Sequence, residues 1–187
     1  MKRLFDLILA TILITVLSMP MLFIILAIRL TSKGPALYWS ERIGFNNLTY
    51  KMPKFRSMRI DTPQVATHLM SNPEKFLSPI GGFLRRTSLD ELPQLISIIK
   101  GDMSFVGPRP ERPIFVDNFK KNVPHYMLRL KMKAGLTGWA QINGWRGNTS
   151  LEKRIEYDLY YIKHWSLWFD LKIIVMTIWR GILNRHA

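Results

Sequence analysis

Twenty-two consecutive residues, Leu7 to Ile28, carry no charge, and one proline, Pro20, interrupts them. As a helix at about 1.5 Å per residue, such a run reaches roughly 33 Å, just enough to cross the hydrocarbon core of a bilayer. Lys2 and Arg3 lie on one side, Arg29 and Lys33 on the other. Positive flanks at both ends draw both ends to the cytoplasm, and Pro20 supplies a helix break. Two arrangements therefore stand side by side: a proline-kinked spanning helix, and a helix-break-helix hairpin that dips into the membrane and returns. In the hairpin, Ser18 or Thr15 would supply partners for backbone groups freed at the break. A cleaved signal peptide fits poorly, because the run is long and no small-residue cleavage site follows it.

The chain has 187 residues, enough for one domain with its own core. Its 27 Lys and Arg against 13 Asp and Glu give a net charge of +14. Such a balance calls for an anionic partner: nucleic acid, a phosphate-rich substrate or an anionic membrane surface. The absence of cysteine excludes a disulfide framework, thiolate chemistry and cysteine-based zinc sites. His68, His125, His164 and His186 show no pair at metal-ligand spacing.

Beyond the apolar run, Ala36 to Trp39 and Leu48 to Met52 read as the strands of a small hairpin. It delivers Lys54-Phe55-Arg56-Ser57-Met58-Arg59, whose cations suit either a phosphate or a solvated face. Asp61 to Pro79 reads as a loop with one short helix. Arg85-Arg86-Thr87-Ser88-Leu89-Asp90-Glu91-Leu92-Pro93-Gln94 then sets two carboxylates behind two arginines at a helix start. Ser88 with Glu91 spells a capping box; Pro93, tolerated only in a first turn, argues that Asp90 is itself the cap. Either way the unpaired N–H groups of a first turn favour ionised carboxylates. These suit a phosphoryl-group nucleophile or a magnesium ligand, and equally an ordinary cap. The following helix should stop at Lys100-Gly101.

Gly107-Pro108-Arg109-Pro110-Glu111-Arg112-Pro113 fixes a stiff, extended loop from which Arg109 and Arg112 project, either as phosphate binders or as incidental solvated arginines on a proline-rich connection. Residues 114 to 133 read as a basic helical stretch. Gly135, Gly138, Gly144 and Gly147 permit close backbone approach to a ligand. That stretch matches neither a Walker loop nor a dinucleotide fingerprint. Leu151 to Trp165 and Leu167 to Leu183 are helical; Asp170, Lys172 and Arg180 make the second an interfacial or core helix rather than a span. The glycosylation triplets at Asn47 and Asn148 are read as chance.

Taken together, Lys2-Arg3-Leu4-Phe5-Asp6, Lys54-Phe55-Arg56-Ser57-Met58, Arg86 to Gln94, Lys100-Gly101-Asp102-Met103-Ser104, Gly107-Pro108-Arg109-Pro110, Gly135-Leu136-Thr137-Gly138 and Tyr157-Asp158 resemble the bacterial sugar transferases, the monotopic polyprenyl-phosphate phosphoglycosyl transferases. The resemblance covers nearly the whole chain. It implies transfer of a sugar-1-phosphate, best glucose-1-phosphate, from a UDP-sugar to undecaprenyl phosphate, through a phosphosugar joined to an aspartate, with release of UMP. Asp90 would be the nucleophile and Glu91 its partner, serving magnesium or proton transfer, with both carboxylates as candidate Mg²⁺ ligands. Arg109 looks like the nucleotide-phosphate contact, and Lys54, Arg56, Arg86, Arg146 and Asp170 fall at charged substrate-binding positions. The resemblance also favours the re-entrant hairpin with its break at Pro20, although the family often has Ser-Pro where this chain has Met19-Pro20. A second departure is Asn72-Pro73-Glu74, where many relatives carry an acidic-Pro-Arg sequence.

The expectation is a mainly α fold with a small β element: residues 1–30 as membrane hairpin and 31–187 as one catalytic unit with interfacial helices. It would lie on the cytoplasmic face of a bacterial inner membrane and make exopolysaccharide or another glycoconjugate. Its partners would be UDP-sugar, undecaprenyl phosphate and membrane lipid, without nucleic acid; a homo-oligomer stays open. Many relatives carry extra N-terminal membrane helices, so the chain is read as a small-form enzyme or a fragment. The competing classes are a basic membrane-tethered nucleic-acid binder and a catalytically silent subunit of a polysaccharide assembly complex.

Overall fold

A computed structural model describes residues 1–63, 72–147 and 149–183. His68, His186, Asn148 and part of the loop before Pro79 lie outside the described residues; Pro73–Phe76 form a single 3-10 turn.

The apolar run becomes helix α1, Lys2–Thr31. Leu9, Ala10, Leu13, Ile14 and Leu17 pack on one core cluster and Met21, Ile24, Ile25 and Ile28 on another. The spacing of three and four keeps these residues on one side. Leu4, Ile8, Ile12, Val16, Met19, Phe23, Leu26 and Leu30 make an exposed apolar stripe on the other. The expected break at Pro20 is absent, and the helix runs through it. A proline inside a helix costs about 3 kcal/mol, and the side chains packed on the core both before and after Pro20 offset that cost. Neither Thr15 nor Ser18 serves the carbonyl that Pro20 leaves free: their hydroxyls donate to Thr11 O and Thr15 O.

By length and composition α1 could cross a membrane, yet both its ends are fastened to the same folded unit. At the start, Asp6 accepts from Ser104 Oγ and the Phe105 amide, both at 3.1 Å. Arg3 donates to Ile98 O and Ile99 O. At the end, Arg56 donates to Ser32 O and Ser32 Oγ, both at 3.0 Å, and to Lys33 O.

Strands β1 (Leu37–Ile43) and β2 (Thr49–Phe55) form the expected hairpin, longer than its apolar cores suggest, with Leu37 opposite Phe55 and Ile43 opposite Thr49. Asn46 and Asn47 take the left-handed conformation that the turn needs. Helix α2 (Gly81–Arg86) leads to a 3-10 turn, Leu89–Glu91, and only then to α3 (Gln94–Lys100). The α-helix thus starts after the carboxylates. Neither Ser88 nor Asp90 caps it, because Ser88 is itself left-handed at φ 56° and turns the chain. Helix α3 stops where expected, at Gly101 with φ 94°.

Strand β3 (Met103–Val106), buried throughout, pairs in parallel with β4 (Ala134–Thr137). Between them lie α4 (Pro113–Asn122) and a 3-10 stretch, Tyr126–Lys131. The single helical stretch expected over 114–133 is divided, because Pro124 cannot donate to a helix ladder and His125 turns left-handed at φ 61°. Helices α5 (Trp139–Ile142), α6 (Leu151–Lys163) and α7 (Leu167–Leu183) complete the unit. The fold is mainly helical, with two small sheets.

Candidate active site

The end of β2, the 3-10 turn and the proline-rich loop meet at Glu91. Its Oε1 accepts from Lys54 Nζ at 2.8 Å and from Arg109 Nη2 at 3.0 Å. Arg109 Nη1 donates to Gln141 Oε1 on α5 at 2.9 Å, so one guanidinium bridges two elements. Burial alone would push Glu91 up; Arg109 and Lys54 outweigh it and hold the carboxyl far below the usual carboxylate range. Lys54 is drawn below an ordinary ammonium by burial, with Glu91 opposing that shift and Arg109 adding to it.

Asp90, next in the chain, behaves in the opposite way. Its half-buried side chain forms no ion pair among the described residues, and burial raises it above an ordinary carboxyl. Lys54 and Arg85 pull it back and Glu91 pushes it further up. The helix start expected to hold both carboxylates ionised lies beyond them, and it is the Arg109 and Lys54 cations that hold Glu91 ionised. Of the two arginines before the turn, Arg85, whose Nε donates to Ser57 Oγ at 2.9 Å, is the one whose charge pulls Asp90 down. Arg86 is exposed and makes no side-chain hydrogen bond or ion pair among the described residues.

Other residues picked from the sequence lie elsewhere. Arg56 is 6% exposed and its guanidinium serves the end of α1. Asp170 is fully buried in α7 and accepts from Lys2, from the Tyr161 hydroxyl and from Trp165 Nε1, fixing the start of α1. Arg146 is exposed on the turn after α5, without a side-chain partner among the described residues. Pro20 lies far along α1 from these contacts.

The loop that carries Arg109 is held at each carbonyl from Pro108 to Glu111. Gly135 N donates to Pro108 O at 2.9 Å and Arg129 Nη2 to Arg109 O at 2.8 Å. Arg42 Nη1 donates to Pro110 O at 3.2 Å and Ile43 N to Glu111 O at 3.0 Å. Glu111 is paired with Arg154 at 2.6 Å. Two of the glycines expected to approach a ligand approach this loop instead. A Cβ on Gly135 would stand 2.1 Å from Gly107 N, and one on Gly138 would stand 2.2 Å from Gly107 O. Gly144 and Gly147 have open space and positive φ, so they serve the turn.

Gln141, Arg42, Arg129 and Arg154 were not selected from the sequence. Arg129 carries a usable signal, since it lies between Tyr126 and Leu130 on the buried side of its stretch. Gln141 carries none, because its role depends on a partner 32 residues away.

The cluster can hold a diphosphate. Arg42 feels the charge of Arg109 and Arg112, Lys54 feels that of Arg109, and Lys54 and Arg109 already converge on Glu91. Positive charge in excess of the carboxylates leaves room for an anion. The donor set also fits Mg²⁺, which takes one or two carboxylates together with substrate phosphate oxygens. Asp90 and the second oxygen of Glu91 are the donors on offer.

Residues 1–184 match the family model described as bacterial sugar transferase. The chain is 44% identical over 192 residues to the UDP-glucose:undecaprenyl-phosphate glucose-1-phosphate transferase of Escherichia coli K12, a match that spans all of this chain and 41% of that relative. It is 39% identical over 183 residues to the Caulobacter vibrioides protein of the same name, across 95% of this chain and 68% of the relative. It is 38% identical over 185 residues to a UDP-N-acetylgalactosamine-undecaprenyl-phosphate N-acetylgalactosaminephosphotransferase of Aeromonas hydrophila, across 98% of this chain and 44% of the relative. The chain thus spans about two-fifths of the length of the E. coli protein.

Proposed function

The chain belongs to the bacterial sugar transferase family, and from that premise we propose that it transfers a sugar-1-phosphate from a UDP-sugar to undecaprenyl phosphate and releases UMP. Glucose-1-phosphate is the favoured group, supported by the names of the E. coli and Caulobacter relatives. The observation that carries the chemistry is the division between neighbouring carboxylates. Glu91 is locked between two cations and is a weak nucleophile, whereas Asp90 has no ion-pair partner among the described residues and is buried enough to be more basic than a solvated carboxylate.

Asp90 attacks the sugar-bearing phosphorus. Its oxygen forms the new P–O bond while the bridging oxygen leaves with its electron pair on UMP. An oxygen of undecaprenyl phosphate then attacks the aspartyl phosphorus, Asp90 departs as a carboxylate, and the product is a polyprenyl diphosphate sugar. Arg109 and Lys54 orient the diphosphate and balance charge that spreads over its oxygens. Mg²⁺, held by Asp90 and Glu91, supplies further neutralisation of the diphosphate when bound.

The membrane arrangement belongs to the same proposal. Both ends of α1 are tied to the folded unit and its outer stripe is apolar. This supports insertion from one side, at the cytoplasmic face of a bacterial inner membrane, better than a crossing. The lipid phosphate would reach the acidic pair from the membrane edge and the UDP-sugar from the water side.

Purified protein incubated with radiolabelled UDP-glucose and Mg²⁺, without lipid acceptor, is expected to yield a hexose phosphate on the peptide that contains Asp90, absent in Asp90→Asn. Turnover of undecaprenyl phosphate without any such adduct would replace the two-step mechanism by direct transfer. Absence of both would defeat the proposal.

A further inference from the structure

Arg129 has the largest fully buried side chain among the described residues. Its Nε and Nη2 both reach Asp158 Oδ2, at 2.9 and 2.8 Å, and Nη1 donates to the Tyr126 hydroxyl at 3.2 Å. A salt bridge at this depth is poor evidence of stabilisation, because desolvating both charges offsets much of their attraction, and apolar replacements of similar volume often serve stability as well. One further contact gives the pair a different role. Arg129 Nη2 also donates to Arg109 O, at the residue whose guanidinium bridges Glu91 and Gln141.

Helix α6 grips this loop at two successive points. Arg154 and Asp158, four residues apart, share one face of α6. Arg154 holds Glu111 directly, and Asp158 holds Arg109 through Arg129. We propose that Arg129 and Asp158 are positioning residues, which fix the main chain at Arg109 so that its guanidinium stays between Glu91 and Gln141 with its remaining N–H groups presented to the diphosphate. The diphosphate in this statement rests on the reaction proposed above; the fixing of the loop does not.

The test uses the whole chain in detergent and the double variant R129M/D158L, which removes both charges and leaves an apolar pair of similar bulk. Expected is a cooperative unfolding transition near that of the wild type, with UDP bound roughly tenfold or more weakly, the size of effect that one lost charge-assisted contact produces. Hydrogen exchange in the peptide spanning Gly107 to Arg112 should also accelerate. In an Arg109→Ala background the same pair of changes should weaken UDP no further, since Arg129 acts through Arg109. An equal, additive loss in that background would overturn the proposal, as would unchanged exchange in the loop. Should R129M/D158L fail to fold, Arg129→Lys decides the matter. Its single ammonium keeps the charge against Asp158 but lacks the fork that also reaches Arg109 O, so UDP binding must weaken, and wild-type affinity would overturn the inference. Failure of the wild type to bind UDP would count against the proposed reaction alone, because the exchange measurement still reads the loop.

Discussion

From Pro108 to Glu111 each carbonyl accepts a hydrogen bond from a different part of the fold, whereas the turn from Ser88 to Glu91 closes on itself. That turn rests on local backbone bonds, Glu91 N to Ser88 O at 3.1 Å and Leu92 N to Leu89 O at 3.2 Å. The cationic loop is set in advance by residues scattered over the chain. On the acidic turn Asp90 has no ion-pair partner among the described residues. A group that binds charge gains from rigidity, because donors already in place need not reorganise as the reaction proceeds. A nucleophile gains from having its lone pairs unengaged. On the proposed reaction, such a site would be organised around the electrophile and would leave the attacking group comparatively free.

The most severe test of this contrast is Asp90→Asn. Turnover should fall by about a thousandfold or more, as expected when a covalent nucleophile is removed. Stability should move the other way. Burial raises the Asp90 carboxyl in the folded state, so its ionisation opposes folding above the ordinary carboxylate range. At neutral pH the variant should therefore melt higher than the wild type, and the difference should shrink as pH falls through the raised folded value and be gone below about 4, where Asp90 is protonated in both states. Melting curves across pH check this. A variant that melts lower at neutral pH would make Asp90 a structural cap.

Arg109→Lys comes next. An ammonium keeps the charge but cannot bond Glu91 and Gln141 together as the fork does, and kcat/KM should drop by about a hundredfold. The variant should also be more acid-sensitive. In the folded protein Glu91 is held below its unfolded value, so its contribution to stability is present above the ordinary carboxylate range and disappears as pH falls through the depressed folded value. A weaker partner brings that folded value up, and the acid-unfolding midpoint should rise with it. An unchanged midpoint would mean that Lys54 alone sets Glu91.

These two residues were legible in the sequence because their signal is local: an acidic pair beside arginines, and an arginine between prolines. The β1–β2 hairpin, the glycine stop after α3 and helices α6 and α7 were legible for the same reason, each set by turn residues or spacing within a short window. What failed was whatever depends on tertiary contact. Pro20 reads as a break until the packing of α1 along its whole length is known. Arg129 sits among surface cations in a basic stretch, and although its place between Tyr126 and Leu130 hints at burial, that it is only 1% exposed and paired with Asp158 depends on tertiary contact. Gly135 reads as a ligand approach until Gly107 is found against it. Ser88 fits a capping box by spacing, but its left-handed backbone places the helix start several residues later.

The smallest effect on turnover is expected at Arg56, where sequence and structure differ most. Its place in a motif shared with the sugar transferases implies contact with substrate. Its guanidinium is instead engaged by Ser32 and Lys33 just past the end of α1, and a Cβ on Gly34 would stand 2.3 Å from Arg56 Nη1. Arg56→Met would strip carbonyl oxygens of a charged donor, a loss of about 1–3 kcal/mol, or roughly 2–10 °C in Tm for a chain of this length. The KM for UDP-sugar should stay within about twofold of the wild type, since Lys54, Glu91 and Arg109 remain bonded to one another. A KM raised about tenfold at an unchanged Tm would reverse the assignment. Arg56 would then have left its seat at the end of α1 to reach substrate, and the fastening of α1 would be a resting state that substrate undoes.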